Sequence, residues 1–253
     1  MTSSDSSLLA IASKGPVDDY VDVLARLQAL EAELDPSDGL FWFHRLYRLT
    51  TAAVREASRK HRFADARCIE RLHCHFAGLY FVALSAHLSD PGTGPSAWAP
   101  LFQARTRTDI TACQFAVAGL NAHLNRDLPV ALVNTCLELD REPGRETPLH
   151  GDYQHVGAIQ EHVLRDVNAW LPAPEPDAPE RARAELTALL ELWSARRARD
   201  AAWIAAEVRW ALRGSPLVAR HHLDALDRMV ELASRALLLP GSLERRSRPA
   251  PGR

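Results

Sequence analysis

The chain has 253 residues, with 30 basic against 32 acidic side chains and a formal charge of −2. A chain of this length can bury an adequate core without disulfide or metal staples. So balanced a charge lacks the basic surplus with which nucleic-acid and anionic-membrane binders neutralise phosphate. Small-molecule or protein partners are therefore favoured, a small-molecule substrate above all, with no nucleic acid and no membrane, and the composition sets no oligomeric state. Lys14 and Lys60 are the sole lysines; with abundant Ala, Leu and Arg, this is the residue usage of a GC-rich bacterial genome.

Cys68, Cys74, Cys113 and Cys136 show no C-x-x-C spacing and sit in apolar helical patterns, so they read as buried free thiols. The Ser-rich stretch from Met1 to Ser13 lacks the basic-then-apolar layout of a signal peptide. The longest apolar run, Phe76 to Leu84, is too short to span a bilayer. A cytoplasmic location is expected.

Residues 1–16, small and polar and closed by Gly15-Pro16, read as a disordered N-terminus. Tyr20, Val23, Leu24, Leu27, Leu30 and Leu34 recur at helical spacing and predict a helix over about 17–34, ended by Asp35-Pro36. Ser37 or Asp38 caps a second helix to about Ser58, in which His44 and Arg48 form a polar stripe. A third, over about 64–89, is so apolar from Phe76 onward that it is expected at the bundle centre. A fourth starts near Thr108-Asp109 and ends on the polar motif Asn121-Ala122-His123-Leu124-Asn125-Arg126-Asp127, after which Pro129 suits the first turn of a new short helix.

A charged loop over 140–149 delivers His150 to a helix ending near Leu171, and Pro172 to Pro176 form a semi-rigid spacer. About Pro179 to Arg213 reads as one long amphipathic helix with Arg196 to Asp200 as a solvated interruption, and about Pro216 to Leu239 as the last helix. No β-like alternation and no internal repeat occurs. The fold expected is an all-α, irregular bundle of about eight helices without a sheet: one domain over 17–240 and a disordered tail over 241–253.

His123 and Asp127, four apart, share a face of a continuous helix about 6 Å apart along its axis. That spacing offers two ligands to a metal, or a carboxylate to orient an imidazole. His150 and Asp152 are candidates for the other half of a metal site, and Tyr153 beside them for a proton-transferring hydroxyl. Two imidazoles and two carboxylates suit Zn, Mn or Fe. Against this stands a structural reading in which Asp127 caps the helix after it, Asp152 caps its own, and Asn121 and Asn125 tie loops to helix ends. Glu70-x-x-His73 is the pair used twice in di-iron bundles, but no second copy is present. His221-His222 read as surface residues or caps. No G-x-S-x-G, Walker or dinucleotide glycine pattern occurs, so no nucleotide or dinucleotide cofactor is expected.

Phe43 to Tyr47, Leu79-Tyr80-Phe81, the 121–129 motif ending Leu128-Pro129, and His150-x-Asp152-Tyr153 together resemble a family of all-helical bacterial proteins of unknown function, over most of residues 38–240. The resemblance implies an all-α fold and brings no activity with it. One departure is Val156-Gly157, where Val-Asn would be expected.

These readings converge on an enzyme acting on a small organic molecule, of lyase, cyclase or hydrolase type, with tailoring or cyclisation of a bacterial specialised metabolite as its setting. A single divalent metal held by His123, Asp127, His150 and Asp152 is the candidate cofactor; His123, Asp127 and Tyr153 are the candidate catalytic residues. The alternatives are a metal-free enzyme using His123 and Asp127 as an acid–base pair, and a non-catalytic helical binding or scaffold protein. A zinc hydrolase of the all-α phospholipase C type is disfavoured, since such enzymes are usually secreted and carry more histidine ligands in tighter motifs.

Overall fold

The computed structural model describes residues 3–166 and 194–239. Ten α-helices occur among them: α1 Ser3–Ala12, α2 Tyr20–Glu33, α3 Gly39–Arg59, α4 Ala66–Ser89, α5 Ala99–Ala104, α6 Ala112–Ala122, α7 Leu128–Glu138, α8 Pro148–Asp166, α9 Ala195–Ala211 and α10 Pro216–Leu237. No strand occurs among the described residues, and the expected all-α irregular bundle is what forms. The Pro172 to Pro176 spacer, the 179–193 part of the expected long helix and the 241–253 tail lie outside the described residues. No helix among those described is long and apolar enough to cross a membrane.

Local signals set most helix ends. Asp19 accepts from the Asp22 amide at 2.9 Å to start α2, and the expected stripe from Tyr20 to Leu34 is buried throughout. Asp38 caps α3 through the Leu40 amide, and Thr111 with Gln114 forms a reciprocal capping box that starts α6, three residues later than expected. Ser194 caps α9, accepting from the Arg197 amide, so this helix begins at Ala195.

Three expectations are corrected. The Ser-rich N-terminus is ordered as α1: Leu8 and Ala12 fall at i and i+4 on one face and are buried against α2 and α4. The centre of the bundle is not α4, whose Val82 is 62% exposed, but the segment from α6 to α7. That segment is buried on nearly all sides between α3, α4, α9 and α10. Residues 196–200 are not a solvated interruption; they lie inside α9 and bury Ala198 and Arg199.

The tightest approach to the central helix is made by α3. A Cβ on Gly119 would lie 2.2 Å from Phe43 Cγ, and one on Gly39 would lie 2.4 Å from Phe115 Cε1. Lack of a side chain at these two positions lets the aromatic rings reach the opposing backbone.

Candidate functional site

The motif 121–129 does not end one helix and begin another. Residues His123–Asp127 form a single π turn that joins α6 to α7 without a break, and the Leu128 amide donates to the His123 carbonyl five residues back. Pro129 gives a local reason: it has no amide to donate, and its ring would crowd the carbonyl four residues earlier in a regular α-helix. A widened turn relieves both demands, and such π turns recur at functional sites. Asp127 makes no capping hydrogen bond, so its expected role as a helix cap is not realised.

Instead Asp127 is fully buried and accepts three side-chain hydrogen bonds. Its Oδ2 receives Trp98 Nε1 and His123 Nδ1, each at 3.0 Å, and its Oδ1 receives Arg126 Nη1 at 2.8 Å. Arg126 is held from its other side by Asp227 of α10 at 3.1 Å. A carboxylate serving three donors has little capacity left for a metal. It does fix the tautomer of His123: Nδ1 carries the proton, and Nε2 of the neutral ring is left with a lone pair.

The imidazole lies on the face of Phe76, centroids 3.4 Å apart and planes within 8°, with the edge of Tyr47 at 4.5 Å. Burial pushes the His123 pKa down, while the hydrogen bond and charge of Asp127 oppose that shift. The ring is therefore neutral at pH 7. Its Nε2 is buried and has no hydrogen-bond partner among the described residues.

His123 lines a cavity bounded by α3, α4, the α6 to α7 segment with its π turn, α8 and α9. Tyr47, His73, His123, Gln160 and Arg199 supply its polar lining, with Thr50 and Thr51, and all are buried. The space open to the centre of a water-sized sphere is ≈ 30 Å³, about two waters at roughly 10–15 Å³ each, or a group of a few heavy atoms. Two more buried polar atoms among its lining residues have no partner within hydrogen-bond distance among the described residues: Tyr47 Oη and Gln160 Oε1. Thr51, the polar neighbour of Tyr47, donates its own hydroxyl to the Tyr47 carbonyl at 2.9 Å and keeps lone pairs that can accept from Tyr47 Oη. Burial raises the Tyr47 pKa well above that of a free phenol, so this hydroxyl stays a donor.

The other expected site residues lie elsewhere. Asp152 accepts the Ala64 and Asp65 amides at 2.9 and 2.7 Å, tying α8 to the start of α4 rather than capping its own helix. Tyr153 is buried, donates to the Arg199 carbonyl at 2.7 Å and packs under the Arg199 guanidinium. His150 is half-buried against Trp203, with centroids 4.6 Å apart. Their sequence proximity to one another does not bring them to His123. Among the described residues, no group of three or more His, Cys, Asp or Glu is placed to hold a metal. Glu70 accepts from the Tyr20 amide, and His73 Nδ1 donates to the Ile69 carbonyl at 2.9 Å.

Tyr47, Gln160 and Arg199 are the site residues that sequence reasoning did not single out, although Tyr47 lay in the Phe43 to Tyr47 segment. Residues 20–240 match the model of DUF5995, a family of unknown function. The chain belongs to this family. The DUF5995 match spans every element that lines the cavity and leaves out α1. No curated protein and no solved structure matches the chain.

Proposed function

We propose that this DUF5995 protein is an acid–base enzyme acting on a small organic molecule, with His123 Nε2 as the atom that takes the proton. One observation carries the reading: a buried, neutral, carboxylate-oriented imidazole lines a cavity, and its Nε2 has no hydrogen-bond partner among the described residues. Buried polar atoms are nearly always hydrogen-bonded, so three unpartnered ones at a single cavity call for a ligand or ordered water. A scaffold role accounts for Asp127, Arg126 and Trp98 but leaves these three atoms without a purpose.

In this reading the proton of a substrate C–H or O–H passes to His123 Nε2, and its bonding electron pair remains on the substrate. The imidazolium so formed is balanced by Asp127 and stacked on Phe76, while the Tyr47 hydroxyl donates to the developing oxyanion. Proton abstraction of this kind opens lyase and cyclase routes; the same base acting on a water opens hydrolysis. The proposed setting remains bacterial specialised metabolism in the cytoplasm. The four buried free thiols fit a reducing compartment.

The test is incubation of the full chain with a library of small metabolites, read by mass spectrometry, beside His123→Gln and a chelator-treated sample. A product that His123→Gln makes about 10²–10⁴-fold more slowly, and that survives chelation, supports the reading. A product that His123→Gln still makes at the parent rate refutes it, and one lost on chelation returns the metal-dependent alternative.

A further inference from the structure

Arg199 is 6% exposed, and its guanidinium makes no ion pair among the described residues. Its Nη2 donates to the Tyr153 carbonyl at 2.8 Å and its centre lies 4.1 Å from the Tyr153 ring centroid, so it is held in place without being neutralised. The nearest acids acting on it, Asp200 and Glu161, do so only across a distance. Arg126, the other buried arginine beside the site, is by contrast paired with both Asp127 and Asp227. A guanidinium so largely buried without a counter-charge is costly, and an anion bound beside it would complete it.

Arg199 lines the His123 cavity and also a groove of ≈ 250 Å³ on its other side, formed by Gln154, Gly157, Ala158, Glu161 and Arg196. It is thus the partition between the two. Gly157 permits this, because a Cβ there would lie 3.1 Å from Arg199 Nε. Asn, the residue expected at 157 by resemblance, would crowd the guanidinium.

We infer that the cavity takes a small monoanion, a carboxylate of a few heavy atoms or the carboxylate end of a slightly larger acid, whose charge is met by Arg199 and whose reacting end lies toward His123. The Tyr47 hydroxyl donates a neutral hydrogen bond to the same ligand, while Gln160 Oε1 can only accept, from a donor elsewhere on that ligand. The inference rests on the acid–base reading for the purpose of the site, but the anion preference can be measured without it.

The experiment uses the unaltered full chain with ¹⁵N-labelled histidine. Sodium formate and sodium acetate are titrated against formamide and acetamide, with sodium chloride matching ionic strength, while the His123 Nε2 resonance and the melting temperature are followed. The expected result is a saturating shift with acetate or formate, at least tenfold tighter than with the matching amide and absent with chloride. Arg199→Gln is expected to lose tenfold or more in anion affinity with the amide unaffected, and Arg199→Lys to lose less. Amide and anion binding alike, no saturating shift with either anion, or an Arg199→Gln protein that binds acetate as the parent does, overturns the inference. The first two comparisons need no variant to fold. His123→Gln separates the two readings: it should keep acetate affinity within threefold while losing turnover. Saturable acetate binding in a chain that turns over nothing would sink the acid–base reading alone; turnover confined to neutral compounds would sink the anion alone.

Discussion

At the scale of single residues, the chemistry rests on which nitrogen of His123 bears the proton. Asp127 offers only acceptors to Nδ1, so it holds the proton there. Asp127→Asn keeps the shape but can turn an amide N–H toward Nδ1. The ring would then carry its proton on Nε2 and lose the base. A rate loss of about 10²–10⁴-fold with an unchanged circular dichroism spectrum is expected. The pH profile is a second check: because burial lowers the His123 pKa, the base stays competent into mild acid. The acid limb of kcat/KM should lie below about 6.5, the ordinary histidine value; a limb above it would contradict the assigned environment. The His123 and Asp127 pair was legible because four-residue spacing is a local property of a helix. Arg199 was not, since an arginine in the run Ala195-Arg196-Arg197-Ala198-Arg199-Asp200 carries no sign of which way it faces. Asp152 was misassigned for the opposite reason: its partners lie some ninety positions away, at Ala64 and Asp65.

At the scale of elements, the Asn121 amide joins the central helix to α10, donating to the Val230 carbonyl and the Ser234 hydroxyl at 3.1 and 3.0 Å, and accepts from Asn125 at 2.8 Å across the π turn. The two asparagines thus tie elements together, as one sequence reading held, but helix to helix rather than loop to helix. The α3 contact is tighter still. Gly119→Ala would drive a methyl into Phe43, whose ring stands 5.7 Å from that of His123. Overpacking of this kind costs about 1–3 kcal/mol; urea denaturation should show it, and the His123 ring resonances should shift. Helix existence and most caps were readable, because apolar periodicity and Asp or Thr capping are written locally. The π turn was not: its one local sign is Pro129, which is equally at home in the first turn of a separate helix.

At the scale of the whole molecule, the bundle buries three neutral histidines, His44, His73 and His123, in one interior. His44 Nε2 donates to the Leu27 carbonyl at 2.7 Å and its Nδ1 accepts from Tyr80; burial pushes the pKa values of His44 and His73 down to about 4. The unfolded chain, with histidine near about 6.5, then binds more protons than the folded one between these values. Stability is therefore fully present above about pH 6.5 and is lost as pH falls toward 4, at up to about 1.4 kcal/mol per pH unit for each histidine. Urea midpoints measured at pH 7, 6 and 5 should drop in step, and Tyr80→Phe should not abolish the trend. The all-α class was plain from composition and period. Which helix lies at the centre was not, because α4 and the α6 to α7 segment are both apolar, and only the packing of α3, α9 and α10 distinguishes them.

A cavity lined by buried residues also has a kinetic signature. With so buried a lining the way in is narrow, so parting of the helices and movement of Arg199 slow association below encounter. The rate constant should fall below the 10⁵–10⁷ M⁻¹s⁻¹ that is usual for open sites, and the observed rate should level off as ligand concentration rises. Trp98, fully buried and hydrogen-bonded to Asp127, is placed to report each arrival by its fluorescence in a stopped-flow trace.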